Sequence, residues 1–224
     1  MMEGVELVIF DMDGVLVDSE PISCEVTAAC LSEIGHPIDA ATVGRRYLGV
    51  SVAGMLEQIE AERGAPVPEG FAALVERRTL EAYEDRLRPV CGMADLLAAF
   101  DGRCCVASSS TPARIARSLE LAGLGERFTS LFSATMVAHG KPAPDLFLHA
   151  AAAMGCDPGR TIVVEDSVAG VTAGRRAGMH TIGFTAGAHL LADEAHGRRL
   201  VEAGADEIVT TATALLHRLT GASP

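Results

Sequence analysis

Two aspartates, Asp11 and Asp13, lie two residues apart directly after the apolar residues 7–10. Like charges this close raise one pKa unless a cation lies between them, and a hard divalent ion with oxygen ligands suits that place. In an open α/β sheet, residues that follow a strand also lie where ligands bind. The pair therefore predicts a metal-assisted aspartyl nucleophile, although an ordinary Asx turn explains a lone Asp-x-Asp-Gly sequence equally well.

Three further polar clusters follow predicted strands. Hydroxyls, Ser108 and Ser109 among them, precede the N-terminus of a predicted helix, where phosphate binds readily, although helix capping would explain one of them. Lys141 lies in a loop bracketed by prolines, which suggests a positioned charge rather than an ordinary surface lysine. Glu165 and Asp166 again follow an apolar run, and helix capping accounts for only part of that cluster.

Apolar runs of strand length recur along the chain with helical patterns between them. Residues 21–88 interrupt this order, because their apolar residues recur at helical intervals without a strand. After the first strand, residues 7–10, the predicted strands are 104–107, 131–133, 161–164, 181–184 and 207–209, and the later helices are 93–100, 112–122, 145–154 and 168–177. This order predicts a doubly wound, Rossmann-like parallel α/β core, residues 1–17 and 89–224, with an inserted all-helical cap, residues 18–88.

Composition limits the classes of function. The chain has 224 residues, 49% of them hydrophobic, which is enough for a full core and an insertion. A net charge of −12 argues against a nucleic-acid or membrane partner, but a small phosphorylated substrate could still reach a locally basic pocket. No apolar run reaches the roughly 18 residues of a membrane span, and the six cysteines lack zinc-type spacing. We expect a cytoplasmic protein with reduced thiols, as a monomer or weak homodimer.

The succession of acids, hydroxyls, lysine and acids, with its flanking residues, resembles the haloacid dehalogenase-like (HAD) superfamily of phosphohydrolases. The resemblance covers essentially the whole chain. Residues 10–20, 140–147 and 164–170 look like the β-phosphoglucomutase-like subgroup, which includes 6-phosphogluconate phosphatase-like enzymes. In that subgroup a small helical cap is inserted after the first strand, and residues 21–88 fit that position.

The resemblance implies a role for each matching position. Asp11 would be the nucleophile that forms an aspartyl phosphate, and Asp13 would be the general acid and then the base. Ser108, the backbone of Ser109, and Lys141 would hold the phosphoryl oxygens. The implied cofactor is Mg²⁺, held by Asp11, Asp13 (also through its backbone carbonyl), Asp166 and, as a fourth contributor, Glu165.

The departures from the mutase pattern distinguish between activities. A β-phosphoglucomutase has a histidine shortly after the first motif and two cations beside a Gly-Val-Ser sequence in the cap. This chain has Ser23, Leu48 and Val52 at those positions, and the last two cannot hold a second phosphate. We therefore expect a Mg²⁺-dependent phosphatase for a sugar phosphate or phosphorylated sugar acid, with a sugar phosphomutase as the alternative. Arg46 could contact a substrate carboxylate or phosphate, unless it lies on a solvated helix face.

Two non-enzymatic interpretations use similar residues. A receiver-type signalling domain also gathers acids, a hydroxyl and a lysine around Mg²⁺, but its phosphorylated aspartate lies on a middle strand and no helical cap interrupts its first crossover. A catalytically silent relative would bind sugar phosphates without needing intact acids at both ends of the site. The order of the motifs and the intact acids both favour the enzyme.

Overall fold

The computed structural model describes residues 4–47, 52–191 and 193–221. These residues form two compact units. The sheet unit contains the residues up to Asp18 and those from Arg88 onward, and the helical unit is Ser19–Leu87. The chain thus leaves the sheet unit soon after its first strand and returns to it for all later strands.

Six parallel strands form one sheet, in the order β3-β2-β1-β4-β5-β6. The strands are β1 (Leu7–Phe10), β2 (Cys104–Ser108), β3 (Leu131–Ser133), β4 (Thr161–Glu165), β5 (His180–Phe184) and β6 (Glu207–Val209). Every residue of β1, β2 and β4 is buried, as is typical of parallel strands covered on both faces. The predicted fold class is confirmed, and each strand agrees with its prediction to within one residue at either end.

The first strand lies in the middle of the sheet, between strands from the distant second half of the chain. Phe10, the last residue of β1, pairs in register with Val106 of β2 and Val164 of β4. Because parallel strands end at the same edge, the residues at their carboxyl ends come together. Asp11, which follows β1, and Glu165, which ends β4, therefore meet at one edge of the sheet.

The described part of the helical unit contains helices and no strand. They are α1 (Glu20–Glu33), α2 (Ala40–Tyr47), α3 (Val52–Arg63) and α4 (Phe71–Arg86). Each contributes to one apolar interior, with Leu31, Tyr47, Ile59 and Phe71 as examples. The longest described helix, α4, has 16 residues, and no helix within the described ranges is long and apolar enough to cross a membrane.

Among the described residues of the sheet unit, six α-helices accompany the strands. They are α5 (Met93–Ala99), α6 (Pro112–Leu121), α7 (Asp145–Ala153), α8 (Val168–Arg176), α9 (His196–Ala203) and α10 (Ala212–Thr220). The sequence patterns predict the first four of these helices and miss the last two. Several start at a hydroxyl N-cap: Ser167, for example, accepts a hydrogen bond from the N–H of Gly170 at the start of α8. The carboxyl ends of the strands and the segments that follow them hold the residues of the candidate site.

Candidate active site

Three buried carboxylates meet at the carboxyl edge of the sheet. Asp11 follows β1, Glu165 ends β4 and Asp166 follows it. Each offers an oxygen, and these oxygens all lie within 4.8 Å of one another. Buried carboxylates this close repel one another unless positive charge compensates them. Positive charge is therefore needed at this edge of the sheet to stabilise the three carboxylates.

Lys141 supplies one positive charge from the loop before α7. Its Nζ donates hydrogen bonds to Oδ1 of Asp11 at 2.5 Å, to Oε1 of Glu165 at 2.7 Å and to the carbonyl oxygen of Ala107 at 3.1 Å. Burial disfavours the charged ammonium group, but the two carboxylates outweigh it and raise the pKa of Lys141 above its usual value. The lysine is therefore a fixed cation against Asp11.

One lysine does not balance the three carboxylates. When ionised, Asp11, Glu165 and Asp166 carry three negative charges and Lys141 carries one positive charge, so two negative charges remain. Burial raises the pKa of Asp11 and of Asp166 well above the usual value, and neighbouring carboxylates add to this effect. A divalent cation would offset both the excess negative charge and the cost of burying the carboxylates. Oxygen ligands suit a hard cation such as Mg²⁺. The residues present fit a divalent metal site.

Both oxygens of Glu165 already have partners. Oε1 accepts from Lys141, while Oε2 accepts from the backbone N–H of Ser167 at 2.8 Å and from its hydroxyl at 2.9 Å. Gly170, in the first turn of α8, leaves room for this carboxylate, because a Cβ there would lie 1.7 Å from Oε1. The start of α8 thus holds Glu165 against Lys141.

Asp13 has a different set of partners. Its Oδ2 accepts a hydrogen bond from the hydroxyl of Ser110 at 3.0 Å, and a guanidinium nitrogen of Arg114 lies 3.9 Å from Oδ1. The side chain of Asp13 is 17% exposed, so it can exchange protons with a bound molecule or with water. From the sequence alone Ser110 has no role of its own, whereas in the structure its hydroxyl donates to Asp13.

The hydroxyl-rich turn after β2 is held by its neighbours. Ser108 is buried at the end of β2, and its Oγ accepts from the N–H of Ser110 at 3.1 Å. The carbonyl oxygen of Ser110 accepts from the hydroxyl of Ser133, at the end of β3, at 2.7 Å. Ser109 is exposed. The turn leads into α6, whose first N–H groups are suited to attract an anion.

Two histidines that no sequence motif singles out contact Asp166. Nε2 of His189 lies 3.1 Å from Oδ2 of Asp166, and Nε2 of His196 lies 2.5 Å from its backbone carbonyl oxygen. Both histidines come from the segment after β5. His139, which precedes the Lys141 loop, lies at the surface instead, with Nδ1 3.1 Å from a carboxylate oxygen of Asp145.

Arg46 lies at the end of α2 in the helical unit. Its guanidinium group forms an ion pair with the carboxylate of Glu62 on α3, and it stacks 5.0 Å from the ring centre of Tyr47. The side chain remains 38% exposed. The charge of Arg46 is thus already partly balanced within the helical unit, and its contact with a substrate stays a prediction.

Two of the three positions that differ from the mutase pattern are described. The hydroxyl of Ser23 lies 2.8 Å from the hydroxyl of Tyr83, within the helical unit. Val52, the first residue of α3, is 56% exposed. Neither side chain offers a positive charge for a second phosphate. Leu48 lies outside the described residues.

A family model described as haloacid dehalogenase-like hydrolase matches residues 5–178. The chain is a haloacid dehalogenase-like hydrolase. The matched range includes every site residue predicted from the sequence, from Asp11 to Asp166. The family resemblance inferred from the four motifs is therefore confirmed.

Several relatives of this haloacid dehalogenase-like hydrolase match over most of their length. The 6-phosphogluconate phosphatase of Escherichia coli is 32% identical over 190 residues, which cover 84% of this chain and 86% of the relative. The fructose-1-phosphate phosphatase of the same organism is 32% identical over 187 residues, 81% and 97% of the two chains. A crystal structure of a haloacid dehalogenase-like protein of unknown function from Agrobacterium tumefaciens is 35% identical, with a TM-score of 0.86 over 97% of this chain and 98% of that one.

Proposed function

We propose that the chain is a Mg²⁺-dependent phosphatase that hydrolyses a small phosphorylated metabolite, a sugar phosphate or a phosphorylated sugar acid. The observation that carries this proposal is the carboxylate of Asp11, held by Lys141 beside the buried acids Glu165 and Asp166. Relatives named 6-phosphogluconate phosphatase and fructose-1-phosphate phosphatase support the class of substrate.

In the first half of the proposed reaction, Asp11 is the nucleophile. A bond forms between its carboxylate oxygen and phosphorus as the ester bond between phosphorus and the alcohol oxygen breaks. Asp13 gives a proton to the departing alcohol oxygen, which avoids release of an alkoxide. Lys141, with the hydroxyl of Ser108 and the N–H of Ser109, stabilises the negative charge spread over the phosphoryl oxygens.

In the second half, water hydrolyses the aspartyl phosphate. Asp13, now ionised, takes a proton from water as the water oxygen bonds to phosphorus. The bond between phosphorus and Asp11 then breaks, which releases inorganic phosphate and restores the free carboxylate. The hydrogen bond from Ser110 keeps Asp13 in position for both proton transfers.

The metal would be held by the carboxylates of Asp11 and Asp166 and by the backbone carbonyl of Asp13. Bound there, Mg²⁺ would supply positive charge that offsets the buried carboxylates and the phosphoryl oxygens. We assign Glu165 to Lys141 rather than to the metal, because both of its oxygens already accept hydrogen bonds. Its role is to hold the lysine that faces the nucleophile.

A substrate screen tests the proposed activity. The purified protein with Mg²⁺ should release inorganic phosphate from one or more members of a panel of hexose phosphates, polyol phosphates and phosphorylated sugar acids. Conversion of a sugar phosphate into its isomer without release of phosphate would identify a mutase instead. Binding of sugar phosphates without any turnover would identify a non-catalytic binding protein. Ser23 and Val52, which carry no charge, support the phosphatase over the mutase.

A further inference from the structure

The contact between His189 and Asp166 is built into the fold. His189 lies in a 3₁₀ turn, Ala188–Leu190, and the side chains of His189 and Asp166 are only 9% and 7% exposed. Two glycines leave room for the pair. A Cβ at Gly14 would lie 1.9 Å from Oδ2 of Asp166 and 2.6 Å from Cε1 of His189, and a Cβ at Gly187 would lie 2.9 Å from the same His189 carbon. Backbone from two separate loops therefore leaves room for this contact.

The contact between His196 and Asp166 is supported by Arg199, which binds the other ring nitrogen of His196. Nη2 of Arg199 lies 2.9 Å from Nδ1 of His196. Because a guanidinium group only donates, Nδ1 must accept, so the ring proton is on Nε2 and is donated to the backbone carbonyl oxygen of Asp166. Burial lowers the pKa of His196, which agrees with a neutral ring. Arg199 is itself paired with Asp193, so the tautomer is set by a chain of contacts that begins at the surface.

We propose that His189 and His196 are positioning residues that fix Asp166 to receive a divalent cation. His189 holds one carboxylate oxygen, Oδ2, and His196 holds the backbone of the same residue. Hydrogen-bond partners of this kind orient a ligand before the metal arrives, and their loss typically weakens metal binding by about 10–100-fold. The inference rests on the metal-dependent function proposed above, and it assigns to the segment after β5 the task of presenting Asp166.

The test measures metal binding without turnover. The melting temperature of the protein is followed as Mg²⁺ is added, and the half-saturating concentration is compared among variants. His189→Leu should raise that concentration by about 10-fold or more. His189→Gln, whose side-chain amide can donate in place of Nε2, should lie between His189→Leu and the unaltered protein. His217→Gln, on α10, is the matched control and should leave the concentration unchanged.

A second variant tests the contact of His196 with Asp166. It also provides a test if His189→Leu fails to fold. Arg199→Met leaves both histidines in place but removes the donor to Nδ1 of His196, so it should also raise the half-saturating concentration. If His189→Leu and Arg199→Met both fold and their half-saturating Mg²⁺ concentrations are unchanged or lower, the inference about the histidines is wrong, while the proposed metal site still stands. If Mg²⁺ does not shift the melting temperature of the unaltered protein at all, the proposed metal site fails together with the inference.

Discussion

The glycine at position 170 offers a sharp test of how the candidate site is held together. Its Cα faces the buried carboxylate of Glu165, and a Cβ there would lie 1.7 Å from Oε1 and 1.9 Å from Cδ. Real Cβ contacts are essentially never shorter than 3.0 Å, so Gly170→Ala must displace the carboxylate by more than an ångström. The displaced group would then lose the ammonium of Lys141 at 2.7 Å and the N–H of Ser167 at 2.8 Å.

Two opposing effects determine how much Gly170→Ala changes the free energy of unfolding. Alanine favours a helix over glycine by about 1 kcal/mol. Breaking a buried ion pair on one side costs about 3–5 kcal/mol, so Gly170→Ala should lower the free energy of unfolding by about 2–4 kcal/mol. For a chain of this length, that corresponds to a fall in melting temperature of roughly 5–15 °C. Because Lys141 also faces Asp11, we expect kcat to fall by about 10²-fold.

Thermal unfolding and steady-state hydrolysis of 4-nitrophenyl phosphate measure the two effects. Gly197→Ala is the matched control, because Gly197 also lies in the first turn of a helix, α9, and a Cβ there would lie at an ordinary 3.6 Å from Ile208. The control should be as stable as the unaltered protein, or more stable by up to about 1 kcal/mol. If Gly170→Ala matches this control in both melting temperature and kcat, Glu165 is not needed to hold Lys141.

Three further substitutions test individual roles. Lys141→Met should lower kcat by about 10²–10³-fold while Mg²⁺ still raises the melting temperature, and a kcat within a few-fold of normal would contradict the role of the lysine. Ser110→Ala should slow hydrolysis of a sugar phosphate at least as much as that of 4-nitrophenyl phosphate, because both reactions need Asp13 as a base and only the sugar phosphate also needs its proton; normal rates with both substrates would remove Ser110 from the positioning of Asp13. Arg46→Ala should raise KM for the natural substrate much more than for 4-nitrophenyl phosphate, and equal effects would exclude Arg46 from specificity.

The strands could be predicted from the sequence because each is a continuous apolar run that ends at polar residues. Once the strands are parallel, their carboxyl ends share an edge, so the meeting of Asp11 with Glu165 and Asp166 follows from the pattern alone. The helix α9 could not be found in this way. It has only eight residues, no side chain caps its N-terminus, and it buries only His196 and Leu200.

The detailed contacts of the site depend on three-dimensional placement that local patterns do not contain. Ser110 and Asp13 are 97 positions apart in the chain, and their hydrogen bond exists only because β1 and β2 are neighbours. The histidine contacts of Asp166 depend likewise on the course of the chain after β5, where the sequence has no recognisable motif. The different partners of the adjacent acids Glu165 and Asp166, on which their proposed roles rest, are likewise visible only in three dimensions.

The most direct test of the proposed mechanism is to locate the phosphoryl group during turnover. The protein is quenched with acid while it hydrolyses 4-nitrophenyl phosphate in the presence of Mg²⁺, and its peptides are analysed by mass spectrometry. We expect one phosphoryl group on Asp11, no release of phosphate by Asp11→Asn, and normal behaviour of Asp101→Asn, a control at an exposed acid. Phosphate release that survives Asp11→Asn, or a phosphoryl group found on another residue, would contradict the role of Asp11 as nucleophile.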